Sequence, residues 1–154
     1  MNRNIQVSVL GIQDFGCGSE TVSTRAYGQY DFQNGLHKVS YCELDSNGTA
    51  TDNMLIISES ELKVNRSGSL SGRLLFNLEH RTKAEYVTSF GKFDFDIETD
   101  LYTLSENENG LGIELKYRLY EGKNLFSENT LTVQIYESSS DSLRSINITR
   151  RNNL

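Results

Sequence analysis

The chain of 154 residues contains no proline and no tryptophan, and only two cysteines and two histidines. Average proline usage of about 5% would supply several turn residues, so the turns have to rest on glycine, asparagine, aspartate and serine. Cys17, Cys42, His37 and His80 lie far apart and show no metal-ligand spacing. We therefore expect two reduced thiols, no metal site and no cofactor.

Long apolar runs and an excess of positive charge are also missing. No stretch approaches the roughly 18 consecutive apolar residues of a membrane-spanning helix, and residues 1–6 alternate where a signal peptide would be uniformly apolar. Fifteen Lys and Arg face 21 Asp and Glu, a net charge of -6 that opposes binding to a phosphate backbone. The sequence predicts a cytoplasmic protein without nucleic-acid or membrane partners and leaves its oligomeric state open.

Turn signals and alternation predict strands. Asn-Gly pairs at residues 34–35, 47–48 and 109–110 mark hairpins, because both residues tolerate positive φ. Between the turns, apolar and polar residues alternate with period two, as in strands with one buried face. The pattern predicts ten strands, at residues 3–12, 20–33, 36–44, 50–58, 61–66, 72–79, 83–90, 92–103, 111–120 and 129–137.

Short connections leave antiparallel neighbours in sequence order, and about ten such strands remove their two free edges by closing. We expect an all-β chain with one antiparallel up-and-down (meander) barrel over residues 1–137 and a polar, flexible tail over residues 138–154. Shared parity directs one set of side chains into this barrel. The set comprises Phe93, Phe95, Ile97, Ile113, Leu115, Tyr117, Leu119, Leu131, Val133 and Ile135. Alternation also places Thr99 and Leu101 on the apolar face of the strand that carries Phe93.

Arg66 is an unusual residue within this pattern. A two-residue turn at residues 59–60 would pair Leu55 with Val64, and Arg66 shares the parity of Val64 and faces inward. An unpaired buried guanidinium costs several kcal/mol. The interior should therefore supply a carboxylate, carbonyl groups, water or a bound anion.

Glu43 is the first candidate partner for Arg66, with Tyr41 on the same face of its strand. A two-residue turn at residues 47–48 would send Glu43 outward, whereas one extra residue or a bulge within residues 45–51 would turn it inward. Both registers stay open at this point.

A second group of polar side chains shares the inward parity. A two-residue turn at residues 90–91 would pair Tyr86 with Phe95 and Thr88 with Phe93, turning Tyr86 and Thr88 inward. An inward tyrosine brings a hydroxyl to the interior. The candidate ligand-binding residues are Arg66, Tyr41, Glu43, Tyr86, Thr88 and Tyr117.

The sequence predicts no pair of a nucleophile and a histidine base that could support catalysis. A Cys42–His37 couple is excluded because the two side chains point to opposite faces of one strand, and His80 lies in a charged turn. Both histidines are expected to be solvated or at an edge. The acidic row between Asp94 and Asp100 is expected on the barrel exterior. We therefore expect a protein that is not an enzyme and has no catalytic residues.

Four segments, in order, carry a family resemblance: KVSYCE at 38–43, VNRSG at 64–68, YVTSFG at 86–91 and GIELKYRL at 112–119. Together they resemble the YwiB-like family of bacterial proteins, a domain of unknown function with a calycin-like barrel. The resemblance implies a lipocalin-like barrel in a bacterial cytosolic protein and brings no catalytic residue. Cys42 departs from it where the family pattern is acidic, and Ser89 where that pattern has proline.

These observations predict a non-enzymatic barrel that binds a small molecule in its interior or at its mouth. The alternative is a structural or protein-interaction module whose interior is filled by Leu, Ile, Phe and Tyr side chains. Barrels of about eight strands have a size at which either outcome occurs. An enzyme is the least supported class.

Overall fold

The computed structural model describes residues 3–68 and 71–137. These residues form ten strands, as predicted. The strands are β1 (Arg3–Asp14), β2 (Ser19–Gln33), β3 (Leu36–Leu44), β4 (Ala50–Ile57), β5 (Glu61–Gly68), β6 (Ser71–Asn77), β7 (Thr82–Thr88), β8 (Gly91–Asn107), β9 (Gly110–Glu121) and β10 (Asn124–Glu137). The largest difference from the predicted bounds is β10, which begins five residues earlier than expected. The predicted tail lies outside the described residues.

Each strand pairs antiparallel with its neighbours in sequence, and β1 pairs with β10 to close the barrel. The closing ladder runs from Ile5 opposite Glu137 to Asp14 opposite Glu128. Closure gives the backbone N–H and C=O groups of the first and last strands a partner, so neither strand is left as an edge. The up-and-down antiparallel barrel is thus confirmed. No helix long and apolar enough to cross a membrane occurs among residues 3–68 and 71–137.

The strands alternate between a buried apolar side and a charged outer side. Phe76, Ile57, Leu62, Ile97, Ile113 and Leu115 are the largest completely buried side chains. On the outside, the acidic row of β8 pairs with basic residues of its neighbours: Glu98 accepts from Arg81 at 3.0 Å, and Asp100 accepts from Arg118 at 2.8 Å. The prediction that this row lies on the exterior is confirmed.

A β-bulge reverses the alternation in the middle of β8. Thr99 lies opposite Tyr117 but Leu101 lies opposite Lys116, so Asp100 is an extra residue in the ladder. After the bulge Tyr102 is the inward residue, 5% exposed, and Leu101 lies opposite an outward residue. The prediction that Leu101 shares one face of the strand with Phe93 and Ile97 was wrong, because one inserted residue moves every later side chain to the other face.

The residues of the predicted inward set fall into three groups. The buried members are Ile97, Ile113, Leu115, Leu119, Val133 and Ile135, and the partly buried members that pack against the core are Phe95, Tyr117 and Leu131. Phe93 lies opposite Tyr86 close to the turn and is 45% exposed. The groups differ in how far each residue lies from the end of its strand, and alternation alone does not predict that distance.

The turn between β7 and β8 differs from the predicted one. Thr88 lies opposite Gly91, so the two-residue turn is at residues 89–90, and Tyr86 lies opposite Phe93 instead of Phe95. The Thr88 hydroxyl accepts a hydrogen bond from the Phe90 N–H at 3.1 Å and holds this turn. Because the register shifts by two residues, Tyr86 keeps its inward parity.

Gly110 is the position where the fold most requires glycine. Its φ is 154°, and a Cβ built there would lie 1.7 Å from the carbonyl oxygen of Ile135 on β10. We expect Gly110→Ala to lower the free energy of unfolding by about 2 kcal/mol or more, through strain and displacement of β10. Gly18→Ala is the control, since no atom lies within 4 Å of a Cβ there, and should change stability by less than about 0.5 kcal/mol. Equal urea midpoints for both variants would contradict this prediction.

Candidate functional site

A cavity of about 270 Å³ lies inside the barrel, towards the end where β3, β5 and β7 finish. Most of its wall is apolar. Lining residues include Val9, Leu55, Leu74, Phe76, Leu119 and Val133. Polar side chains from several strands also line the wall, and those on β3, β4 and β5 contact one another.

The loop between β3 and β4 determines that Glu43 belongs to this group. Leu44 pairs with Ala50, so the loop has five residues, and Glu43 lies opposite the buried Thr51. Asp45 organises the loop: one oxygen of its carboxylate accepts hydrogen bonds from the N–H groups of Asn47 and Thr49, both at 2.9 Å. The odd loop length selects the inward register of the two that the sequence leaves open.

Arg66, Glu43 and Asn53 form a closed hydrogen-bonded network. Arg66 Nη2 donates to Glu43 Oε1 at 2.9 Å and Arg66 Nε donates to Asn53 Oδ1 at 3.0 Å. Asn53 Nδ2 donates to the same Glu43 oxygen at 2.8 Å, and Thr24 Oγ1 donates to Glu43 Oε2 at 3.3 Å. The side chains of Arg66 and Glu43 are 28% and 23% exposed. The predicted pairing of an inward Arg66 with Glu43 is confirmed as a contact.

Three tyrosines line the same cavity. Burial raises the pKa of Tyr41 to about 12, with a smaller contribution from the Glu43 charge. Burial likewise raises the pKa of Tyr86 and of Tyr117. Within residues 3–68 and 71–137, none of these hydroxyls has a hydrogen-bond partner. The hydroxyls stay protonated at neutral pH and are free to donate to a molecule in the cavity.

Five of the six predicted site residues therefore line this cavity, and Thr88 does not. Thr88 belongs to the turn between β7 and β8, where its hydroxyl donates to the Gly91 carbonyl at 3.3 Å. The prediction that Thr88 belongs to the site was wrong because the turn lies closer to Thr88 than expected, which makes Thr88 the last paired residue of β7. Binding by the other five residues stays a prediction.

Sequence reasoning missed several polar residues of the cavity wall. Asn53 bridges Arg66 and Glu43, and Asn129 donates to Ser127 Oγ at 3.0 Å. Asn53 shares the parity of buried Leu55, and Asn129 shares that of buried Val133. A polar residue within an inward apolar row was the signal that could have identified both.

The opposite end of the barrel holds a second polar cluster. His37 is 6% exposed. Its Nε2 lies 2.9 Å from Glu106 Oε1, and its Nδ1 lies 2.7 Å from the Tyr30 hydroxyl. Since a carboxylate only accepts, Nε2 carries a proton, and in the neutral ring Nδ1 accepts from Tyr30. The prediction of a solvated or edge His37 was wrong, because β2 and β8 bring Tyr30 and Glu106 over it.

Cys17 and Cys42 are both exposed free thiols. In the part of the chain that the structure describes, no three His, Cys, Asp or Glu side chains are grouped closely enough to hold a metal ion. His80 is exposed, as expected.

Successive ring contacts connect Phe15, which is partly buried, with Tyr86 on the cavity wall. The ring centroids of Phe15 and Phe126 are 5.6 Å apart, those of Phe126 and Phe95 4.9 Å, and those of Phe95 and Tyr86 6.1 Å. Phe126 occupies a second β-bulge, between Leu125 and Ser127 on β10.

Comparisons with known proteins agree with this architecture. A protein-family model described as a domain of unknown function (DUF1934) matches residues 7–133. Among solved structures, the chain is similar to the crystal structure of ywiB protein from Bacillus subtilis, with 22% identity and a TM-score of 0.78. The match covers 90% of this chain and 94% of that chain. At this identity the likeness shows the fold alone. No curated protein matches the chain.

The Arg66–Glu43 contact should be visible as energetic coupling. In a double-mutant cycle with Arg66→Ala and Glu43→Ala, we expect a coupling free energy of about 1 to 2 kcal/mol, because the pair is largely enclosed and shares Asn53. The control cycle combines Arg81→Ala with Glu98→Ala on the outer surface, and should give less than about 0.5 kcal/mol. Fully additive effects at Arg66 and Glu43, measured by urea unfolding, would show that the contact contributes nothing.

The raised pKa of Tyr41 makes stability depend on pH in a defined direction. An unfolded tyrosine ionises near pH 10, whereas Tyr41 in the folded chain holds its proton to about pH 12. The contribution of Tyr41 to the free energy of unfolding is therefore fully present below pH 10 and is lost as the pH rises towards 12. We expect Tyr41→Phe to lose less unfolding free energy than the wild type between pH 9 and pH 11. Tyr27→Phe, at a position 68% exposed, should match the wild type, and an unchanged slope for Tyr41→Phe would refute the prediction.

Proposed function

The chain belongs to the family of the domain of unknown function DUF1934, and from its cavity we propose that it binds a small, mainly apolar molecule inside the barrel. Family membership supplies the barrel but no activity. The observation that carries the proposal is the combination of a cavity of about 270 Å³ with polar groups on its wall that have no hydrogen-bond partner within residues 3–68 and 71–137.

Composition and size of the cavity both support binding. Small-molecule sites are mostly apolar with a few placed polar groups, and they measure roughly 300–1,000 Å³. The cavity lies just below that range, so its occupant is small. Arg66 and the hydroxyls of Tyr41, Tyr86 and Tyr117 supply the polar groups that can orient the polar part of a ligand.

We further propose that the protein is not an enzyme and works in the cytoplasm. The histidine best placed for proton transfer, His37, contacts Tyr30, whose pKa is raised mainly by burial, so Tyr30 is a poor nucleophile at neutral pH. Exposed free thiols at Cys17 and Cys42 suit a reducing compartment. A net charge of -6 disfavours nucleic acid as a partner.

The alternative is a protein-interaction module. The observation in its favour is exposed apolar surface near the barrel mouth, where Phe90 is 92% exposed and Leu125 is 50% exposed. In that case the cavity would have no occupant, and Phe90→Ser would weaken binding of a protein partner.

Filling the cavity tests the proposed function. Gly11 lines the cavity, and a Cβ built there meets only Leu131 Cδ1 at 3.6 Å, so Gly11→Leu projects a side chain into the empty space. We expect mass spectrometry of solvent extracts to find a small molecule released from the purified wild-type protein and strongly reduced amounts from Gly11→Leu.

Ser23→Leu is the matched control. Ser23 lies opposite Leu10 on the outer face, one residue from the Gly11 pair, so the same side chain is added outside the cavity. This variant should retain the molecule at the wild-type amount. Equal recovery from all three proteins would place the molecule outside the cavity, and extracts without any molecule would count against binding.

A further inference from the structure

The polar groups around Arg66 divide into acceptors that are occupied and donors that are free. Both carboxylate oxygens of Glu43 accept hydrogen bonds, Oε1 from Arg66 and Asn53 and Oε2 from Thr24. Arg66 Nη1 donates to no atom of the described residues, and the three cavity tyrosines have unpartnered hydroxyls in the same range. A molecule in the cavity therefore meets donors beside Arg66 and needs an acceptor to match them.

The charge of the site sets a second requirement. Its charged lining residues are Glu20, Glu43 and Arg66, which are two carboxylates and one guanidinium with a sum of -1. Arg66 is already neutralised by Glu43 at 2.9 Å. A ligand carboxylate would place a second negative charge beside Glu43 in a partly desolvated site, where like charges repel strongly. The net charge of -6 on the whole chain adds to this repulsion.

The tyrosines carry no charge that could offset an anion. Because burial holds the pKa of Tyr41 at about 12, its hydroxyl is a neutral donor at pH 7. Tyr86 and Tyr117 are shifted in the same direction. The cavity wall therefore offers neutral tyrosine hydroxyls as donors, together with Arg66, whose charge is paired with that of Glu43.

We propose that the ligand is an uncharged molecule with a compact apolar body and one carbonyl group, as in a ketone, aldehyde, ester or amide. Its carbonyl oxygen accepts hydrogen bonds from Arg66 Nη1 and a cavity tyrosine, and its body packs on Leu55, Leu74 and Phe76. This inference rests on the proposed function and names the class of ligand for that site.

Four probes of similar size test the inference: acetophenone, benzamide, benzoate and ethylbenzene. Acetophenone and benzamide present a neutral carbonyl, benzoate adds a negative charge, and ethylbenzene has no acceptor. We expect the two neutral carbonyl compounds to bind wild-type protein at least about tenfold more tightly than benzoate or ethylbenzene at pH 7. Dissociation constants come from chemical-shift changes in ¹H–¹⁵N spectra, and the shifts should concentrate on residues that line the cavity.

Glu43→Gln tests the role of charge. The glutamine keeps an oxygen that can accept from Arg66 but removes the compensating negative charge. Benzoate should then bind at least about tenfold more tightly than to wild type. The comparison of the four probes in the wild-type protein does not depend on how this variant folds.

The outcomes separate the ligand class from the proposed function. Equal binding of acetophenone and ethylbenzene, or tighter binding of benzoate to wild type, would overturn the carbonyl assignment while the cavity still binds small molecules. Unchanged benzoate affinity in folded Glu43→Gln would also overturn the charge argument. If none of the four probes binds and native extracts contain no small molecule, the proposed function fails together with the inference.

Discussion

A guanidinium enclosed by apolar barrel walls needs a carboxylate, and the Glu43–Arg66 ion pair meets that need in this protein. Asn53 bridges the two side chains, so the pair forms part of a network that holds Arg66 in one orientation. That orientation leaves Arg66 Nη1 without a partner among the residues that the structure describes. The cavity chemistry depends on this arrangement, because the same carboxylate that stabilises Arg66 also cancels the charge by which an anion would be attracted.

The cavity itself follows from the number of strands and from the side chains at the mouth. Barrel diameter grows with strand number, and about eight strands enclose an interior just wide enough to be filled or to hold one small ligand. This barrel has ten strands. Large side chains such as Phe76 and Ile97 fill the central part. Glycine at position 11 contributes no side chain to the cavity wall, which preserves open space there.

Alternation and turn signals in the sequence were sufficient to predict most of the fold. They predicted ten strands in meander order, the buried rows of β9 and β10, and the charged exterior of β8. The same parity argument placed Arg66 on the inner face but left open whether Glu43, its first candidate partner, faces inward. It failed at Leu101, because the extra residue Asp100 is not distinguishable by composition from the rest of an alternating strand.

The sequence alone determined that this chain forms a closed antiparallel barrel with an inward arginine, since alternation is a local property and closure removes two free edges. Only the tertiary structure decided whether Glu43 reaches Arg66, because that depends on a five-residue loop held by the Asp45 carboxylate. It also decided that His37 is buried between Tyr30 and Glu106, which are distant along the chain. Registers and long-range contacts are set by all strands packing together, and no local pattern records that outcome.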